Sequence, residues 1–248
     1  MKQLLATTSL CFAALSAPAF ALDLHAMSAE ERNLFRAEVR AFLMENPEVI
    51  IEAVNQMEER QAEQQTKDDQ AMVATNLEAL HSDGFSWVGG NPDGDITVVE
   101  FLDYRCGYCR KAHTEVEQLL KSDGNIRLIV KELPILGDAS TASSRFAIAT
   151  KQIAGGEAYE AVHNALITFS GEPSDAAFKR LADGLGLDGD AIIAHLDSDE
   201  VTHEIAQTRA LAQRLQIRGT PTFVMGDQLV RGYVPLDGMQ QIIAQERG

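Results

Sequence analysis

Phe101-Leu102-Asp103-Tyr104-Arg105-Cys106-Gly107-Tyr108-Cys109 carries the architecture of this chain in miniature. Immediately before it, Ile96, Thr97, Val98 and Val99 begin a run of strand formers that Phe101 and Leu102 complete. After it, Ala112, Val116 and Leu119 or Leu120 recur at helical spacing as far as about Lys121. The two cysteines thus stand at a strand-to-helix turn, the first at the helix N-terminus and the second one turn in. Far downstream, Gly219-Thr220-Pro221-Thr222-Phe223-Val224 sets a proline directly before another strand.

The first residues bear on where such cysteines work. Lys2 gives a charged start, Leu4 to Leu15 form a short apolar run, and Ala19-Phe20-Ala21 fits a small-x-small cleavage site, so residues 1–21 read as a cleaved signal peptide and the protein as periplasmic. The run falls short of the ~18 apolar residues that span a bilayer. Cleavage removes Cys11, one of three cysteines, and leaves the C-x-x-C pair alone. It also takes the formal charge from −16 down to about −17, which argues against nucleic acid or anionic lipid as partner. The remaining chain is long enough to bury a core without staples, and a bridge between residues three apart closes little chain entropy. An exported protein that keeps only this pair keeps it for redox chemistry.

Three regions follow from composition. Residues 22–82 are helical in pattern: Ser28 to Glu31 reads as a capping box, Leu34, Phe35, Val39, Phe42 and Leu43 form an apolar stripe, and Asn46-Pro47 reads as the N-cap and first position of a second helix. Ile50, Val54 and Met57 continue the stripe, and Glu58 to Gln70 is a polar connector. These stripes cannot cover one another, so residues 28–62 are expected to make a homo-oligomer. Residues 83–248 form an α/β unit with strands over 85–88, 96–103, 126–133, 222–225 and 229–234. A purely helical block at about 138–216, including one helical run over 191–215, interrupts them, and a last helix covers 236–245.

A nucleophilic cysteine must be partly thiolate, and the open N–H groups at a helix N-terminus favour the anion. Cys106 is therefore the attacking thiol, with Arg105, Arg110 and Lys111 adding positive charge, and Cys109 is the resolving thiol. Glu100 lies in phase with Val98 and Leu102, beneath the helix that bears the cysteines. A carboxylate buried there has a raised pKa and can shuttle the proton of Cys109. Gly107 and Tyr108, between the sulfurs, and Thr220 and Pro221 are the expected substrate contacts. A cis Pro221 would turn the Thr220 backbone toward the cysteines, free to pair with an extended peptide. No cofactor is needed beyond a redox-active Cys106–Cys109 disulfide, and no metal: zinc lacks a second ligand pair. Soft thiolates do select copper(I), so a copper(I)-binding protein for copper tolerance stands as an alternative.

With these residues in place, 83–248 resembles the DsbA family of thiol–disulfide oxidoreductases, thioredoxin folds with an inserted helical domain. The resemblance rests on Phe101-Leu102-Asp103-Tyr104 with Cys106-Gly107-Tyr108-Cys109, on Lys131-Glu132-Leu133-Pro134-Ile135-Leu136-Gly137, and on Gly219-Thr220-Pro221-Thr222. It implies a nucleophilic first cysteine, a cis proline and a buried carboxylate at Glu100. Residues 34–62, with Glu45-Asn46-Pro47-Glu48, resemble the N-terminal segment of the ScsC-like branch, which implies a trimer and a membrane redox partner of the DsbD or ScsB type. Gly107-Tyr108 matches the dipeptide of the isomerase DsbC, not the proline and histidine of the strong oxidases. The expected activity is that of an isomerase or reductase on exported proteins, with a monomeric dithiol oxidase as the alternative.

Overall fold

The computed structural model describes residues 26–248, so the expected signal peptide lies outside the described residues. The chain divides into two compact units, Met1–Arg60 and Gln61–Gly248.

The described part of the first unit holds α1 (Ala29–Glu45) and the beginning of α2 (Glu48–Thr75). The capping box at Ser28 forms: its backbone N–H donates to Glu31 Oε2 at 2.8 Å, and the Glu31 N–H donates to Ser28 Oγ at 3.3 Å. Asn46 differs from expectation. It closes α1, its backbone and side-chain N–H groups both donating to the Phe42 carbonyl at 2.8 and 2.9 Å. Pro47 explains this, because the residue before a proline is pushed out of helical backbone. The apolar stripe is exposed throughout: Leu34, Phe35, Val39 and Phe42 on α1, and Ile50, Ile51, Val54 and Met57 on α2. The polar stretch read as a connector is helix. Its Gln64–Asp68 and Gln65–Asp69 side-chain bonds, both 2.8 Å and one turn apart, stabilise it without a core.

The second unit is a five-stranded sheet in the order β1-β3-β2-β4-β5, formed by β1 (Trp87–Gly90), β2 (Ile96–Leu102), β3 (Ile126–Glu132), β4 (Thr222–Met225) and β5 (Gln228–Arg231). β2 and β3 are parallel, joined through α4 (Gly107–Ser122), and every other pairing is antiparallel. The parallel pair is buried almost throughout because both its faces are covered. On one face Val98, Leu102, Leu128, Val130 and Phe223 pack under α4, α10 (Leu236–Arg247) and the helical insertion. On the other, Val99, Phe101, Ile129 and Val224 pack against Val73 near the end of α2, Leu80 of α3 (Leu77–His81), and Leu211 and Leu215. Residues 61–82, assigned from the sequence to the N-terminal segment, therefore supply part of this second core.

The insertion comprises α5 (Asp138–Ala154), α6 (Gly156–Thr168), α7 (Asp175–Gly184), α8 (Gly189–His195) and α9 (Asp199–Arg214). The run over 191–215 is thus two helices, not one. Ser198 breaks it by capping α9, its hydroxyl accepting from the Val201 N–H at 3.2 Å. The first strand starts two residues later than expected. The last strand ends at Arg231, where Gly232 takes a φ of +92°.

Candidate active site

Cys106 occupies the N-cap of α4 with extended backbone, and Cys109 lies in the first turn. Both are free thiols. The Cys106 Sγ donates to the Thr220 carbonyl at 3.1 Å, and the Thr220–Pro221 bond is cis. The loop before β4 therefore stands over the first sulfur, which leaves Cys106 8 % exposed and Cys109 fully buried. Tyr108, between them, projects outward at 65 % exposure, 6.4 Å from the Tyr233 ring. A Cβ on Gly107 would meet no neighbour within 4 Å.

The turn ahead of Cys106 is held by Asp103. One carboxylate oxygen accepts from the Arg105 N–H at 2.8 Å, the other from the Ile135 and Leu136 N–H groups at 2.8 and 3.0 Å. The Asp103 N–H reaches the Cys109 sulfur at 3.5 Å. The nearby cations are partly committed elsewhere: Arg110 donates to the Tyr104 and Phe169 carbonyls, Arg105 to the Gly171 carbonyl, and Lys111 sits 4.0 Å above the Tyr233 ring. Burial pushes the Cys109 thiol far up, with the negative charges of Glu100 and Cys106 adding to it, so this thiol needs a base before it can attack.

Glu100, the base expected from the sequence, lies in β2, the strand that leads into the turn bearing the cysteines. It is 3 % exposed, on the sheet face beneath α4, and burial followed by the charge of Glu132 pushes its carboxyl up to about 8. Among the described residues no donor stabilises its charged form. Its carboxyl borders a cavity of about 60 Å³ shared with Trp87, His113, Glu117, Glu160 and His163, room for a water or two.

Five residues to which the sequence reading gave no role complete the interior: Tyr104, Glu132, Ser144, Tyr159 and His163. Glu132 at the end of β3 accepts from the Tyr104 and Tyr159 hydroxyls at 2.7 and 2.6 Å and from Ser144 at 2.8 Å. Tyr104 also lies 3.0 Å from His163 Nδ1. Burial, reinforced by the charge of His113, holds His163 down to about 3, so it is neutral. The signal for Glu132 was present: it follows Leu128 and Val130 in phase, as Glu100 follows Val98.

A mixed sheet whose central strand feeds a helix-capping C-x-x-C, faced by a cis proline, defines a thioredoxin-fold dithiol protein. The family model described as DSBA-like thioredoxin domain matches residues 97–244, and the chain belongs to that family. A second model, the N-terminal domain of copper resistance protein ScsC, matches residues 31–64. Among solved structures, a thioredoxin-like oxidoreductase from Silicibacter pomeroyi is 43 % identical over 68 % of this chain and 96 % of its own, with a TM-score of 0.64. The thiol-disulfide exchange protein alpha-DsbA2 of Wolbachia pipientis is 27 % identical over 72 % and 96 %, with a TM-score of 0.67. The Na(+)/H(+) antiporter NhaA 3 of Salinispora tropica is 29 % identical over 156 residues, 63 % of this chain and 24 % of the antiporter. The chain spans about a quarter of the length of such curated relatives. No helix among the described residues is long and apolar enough to cross a membrane.

Proposed function

We propose that this chain is a periplasmic thiol–disulfide oxidoreductase acting on exported proteins, working as a self-associated isomerase or reductase. The observation that carries the reading is the pair of sulfurs, one only slightly exposed under the Thr220 carbonyl and the other fully buried one turn behind it. Family membership and the exchange activity named for the Wolbachia relative support it.

In this reading the Cys106 thiolate attacks a substrate disulfide, forming a mixed disulfide and releasing one substrate thiolate. Extended substrate pairs with the Thr220 backbone and lies against Tyr108. Cys109 gives its proton to Glu100 and attacks the Cys106 sulfur. The Cys106–Cys109 bond forms, the second substrate thiolate leaves, and the substrate has gained the two electrons the protein has lost. In isomerisation another substrate thiolate displaces Cys106 before Cys109 attacks, and no net electrons move. The chemistry needs no cofactor beyond this disulfide. A membrane reductant of the DsbD or ScsB type would return the pair to dithiol.

The exposed stripe from Leu34 to Met57 supports self-association, with a second copy of this segment as its cover and a trimer as the assembly. The test is refolding of scrambled ribonuclease in glutathione buffer with a metal chelator, comparing the mature chain with one lacking residues up to 60. Reactivation by the full chain alone supports the self-associated isomerase. If both chains only oxidise or reduce thiols, the isomerase fails and a monomeric dithiol oxidase takes its place. No turnover, with tight copper(I) uptake by Cys106 and Cys109, would leave a copper carrier.

A further inference from the structure

Beneath α4 a second buried carboxylate, Glu132, accompanies Glu100. Cα pairing sets Glu100 opposite Val130 and Leu102 opposite Glu132 on the parallel strands β2 and β3. Alternation then puts Glu100 and Glu132 on the same face, one register step apart, beneath α4. Their surroundings differ in kind. Three hydroxyls from three separate segments hold Glu132: Tyr104 from the turn before the nucleophile, Ser144 from α5 and Tyr159 from α6. Glu100 has only the cavity and its neighbours' charges. Two like charges this close in a low-dielectric interior are costly together, so ionisation of one opposes ionisation of the other.

We propose that Glu132 is a positioning residue for thiol–disulfide exchange: the two carboxylates share one negative charge, and the hydroxyl cage around Glu132 sets when Glu100 can take the proton that Cys109 gives up. This rests on the exchange reading above and adds to it a residue that touches neither sulfur. Burial raises Glu132 to about 7, the three hydroxyls work against that rise, and the charge of Glu204 on α9 adds to it. The titratable groups facing the pair are Cys109, His113 and Glu117 on α4, Glu160, Tyr159 and His163 on α6, Tyr104 ahead of α4, and Glu204 with its partner Lys151. His163 is neutral and burial lowers His113, so neither histidine supplies a cation that would uncouple the two carboxylates at neutral pH.

The proton follows a balanced path. In resolution Cys109 Sγ–H transfers its proton to the Glu100 carboxylate, the sulfur bonds to Cys106, and the substrate thiolate leaves. In the reverse direction Glu100 returns that proton to the departing Cys109 thiolate. A negative Glu132 makes Glu100 the stronger base. A neutral residue in its place lets Glu100 ionise at lower pH.

The experiment uses the mature full-length chain in its reduced form, with oxidised glutathione as substrate. Acid quench and mass spectrometry follow the decay of the glutathione adduct on Cys106 as Cys109 displaces it, from pH 4.5 to 9. In the wild type the decay rate rises with a midpoint that reports Glu100. In Glu132→Gln that midpoint moves down by about one pH unit. Tyr159→Phe removes one hydroxyl from the cage, leaves Glu132 less able to hold charge, and moves the midpoint the same way by less. Tyr159→Phe carries the test should Glu132→Gln not fold. Glu100→Gln abolishes the titration, and adding Glu132→Gln to it changes nothing further. An unmoved midpoint in the variants that fold, or a Glu132→Gln effect that persists without Glu100, overturns the proposal while leaving the exchange reading standing. A wild type that forms no adduct resolved by Cys109 overturns both.

Discussion

Replacing Glu100 by leucine should make the protein more stable, and by an amount that depends on pH. In the folded state burial and the charge of Glu132 raise this carboxyl from 4.5 to about 8. A carboxyl whose folded pKa lies above its unfolded one favours folding only while protonated, so stability falls as pH rises from 4.5 through 8. Each unit corresponds to ~1.4 kcal/mol, so the cost is about 3 kcal/mol at pH 7 and approaches ~5 kcal/mol above pH 8. Leucine replaces the carboxyl with a side chain of similar volume, in phase with Val98 and Leu102 on a buried strand face. Its packing gain or loss is the same at every pH. The measurement is urea unfolding of the reduced protein, followed by fluorescence of Trp87, the chain's one tryptophan, which stacks 5.4 Å from Tyr159 in the same core. The gap between Glu100→Leu and wild type should widen by about 3 kcal/mol between pH 4.5 and pH 7. A constant gap, or one that narrows with pH, would refute the reasoning, for it would mean that Glu100 ionises inside the fold as readily as in the unfolded chain. The same variant should resolve mixed disulfides slowly, a gain in stability set against function.

Asp103→Ala strips three backbone N–H groups of their acceptor and should cost about 3 kcal/mol, read by the same unfolding assay. Asp83→Ala leaves the Lys131 ammonium, 1 % exposed and paired with Asp83 at 2.6 Å, without its counter-charge. About 3–5 kcal/mol should be lost at pH 7. Burial already lowers this lysine, so the deficit should shrink as pH rises and the amine becomes neutral. Phe42→Asp or Val54→Asp places a charge in the exposed stripe and should lower the molar mass measured by light scattering, with the unfolding of residues 61–248 unchanged. Cys109→Ser should trap a substrate adduct on Cys106, visible as a mass shift, whereas Cys106→Ser should trap none.

Sequence alone was enough for the sheet's central strands, because Ile96 to Leu102 and Ile126 to Glu132 are rich in β-branched and apolar residues between turn residues. The site could be read for a related reason. Two cysteines at a strand-to-helix turn and a proline before a strand are local features whose chemistry follows from backbone position. Glu100 was legible because a carboxylate in phase with Val98 and Leu102 must enter the core. Helix boundaries such as the Ser198 break were less so, since a serine inside a helical pattern caps or continues according to its neighbours. Asn46 shows the same limit: its amide bonds backward to Phe42 once Pro47 fixes the backbone between the two helices.

What only tertiary structure decided is which distant groups meet. Tyr104, Ser144, Tyr159 and Glu132 come from four segments, and no local pattern marks a tyrosine in one as the hydrogen-bond donor to a carboxylate in another. The helical insertion folds over the sheet, water is excluded, and the hydroxyls and carboxylates left inside must find each other. Periodicity records whether a residue faces inward. It does not record what faces it there, and here that is three hydroxyls closing on the Glu132 carboxylate.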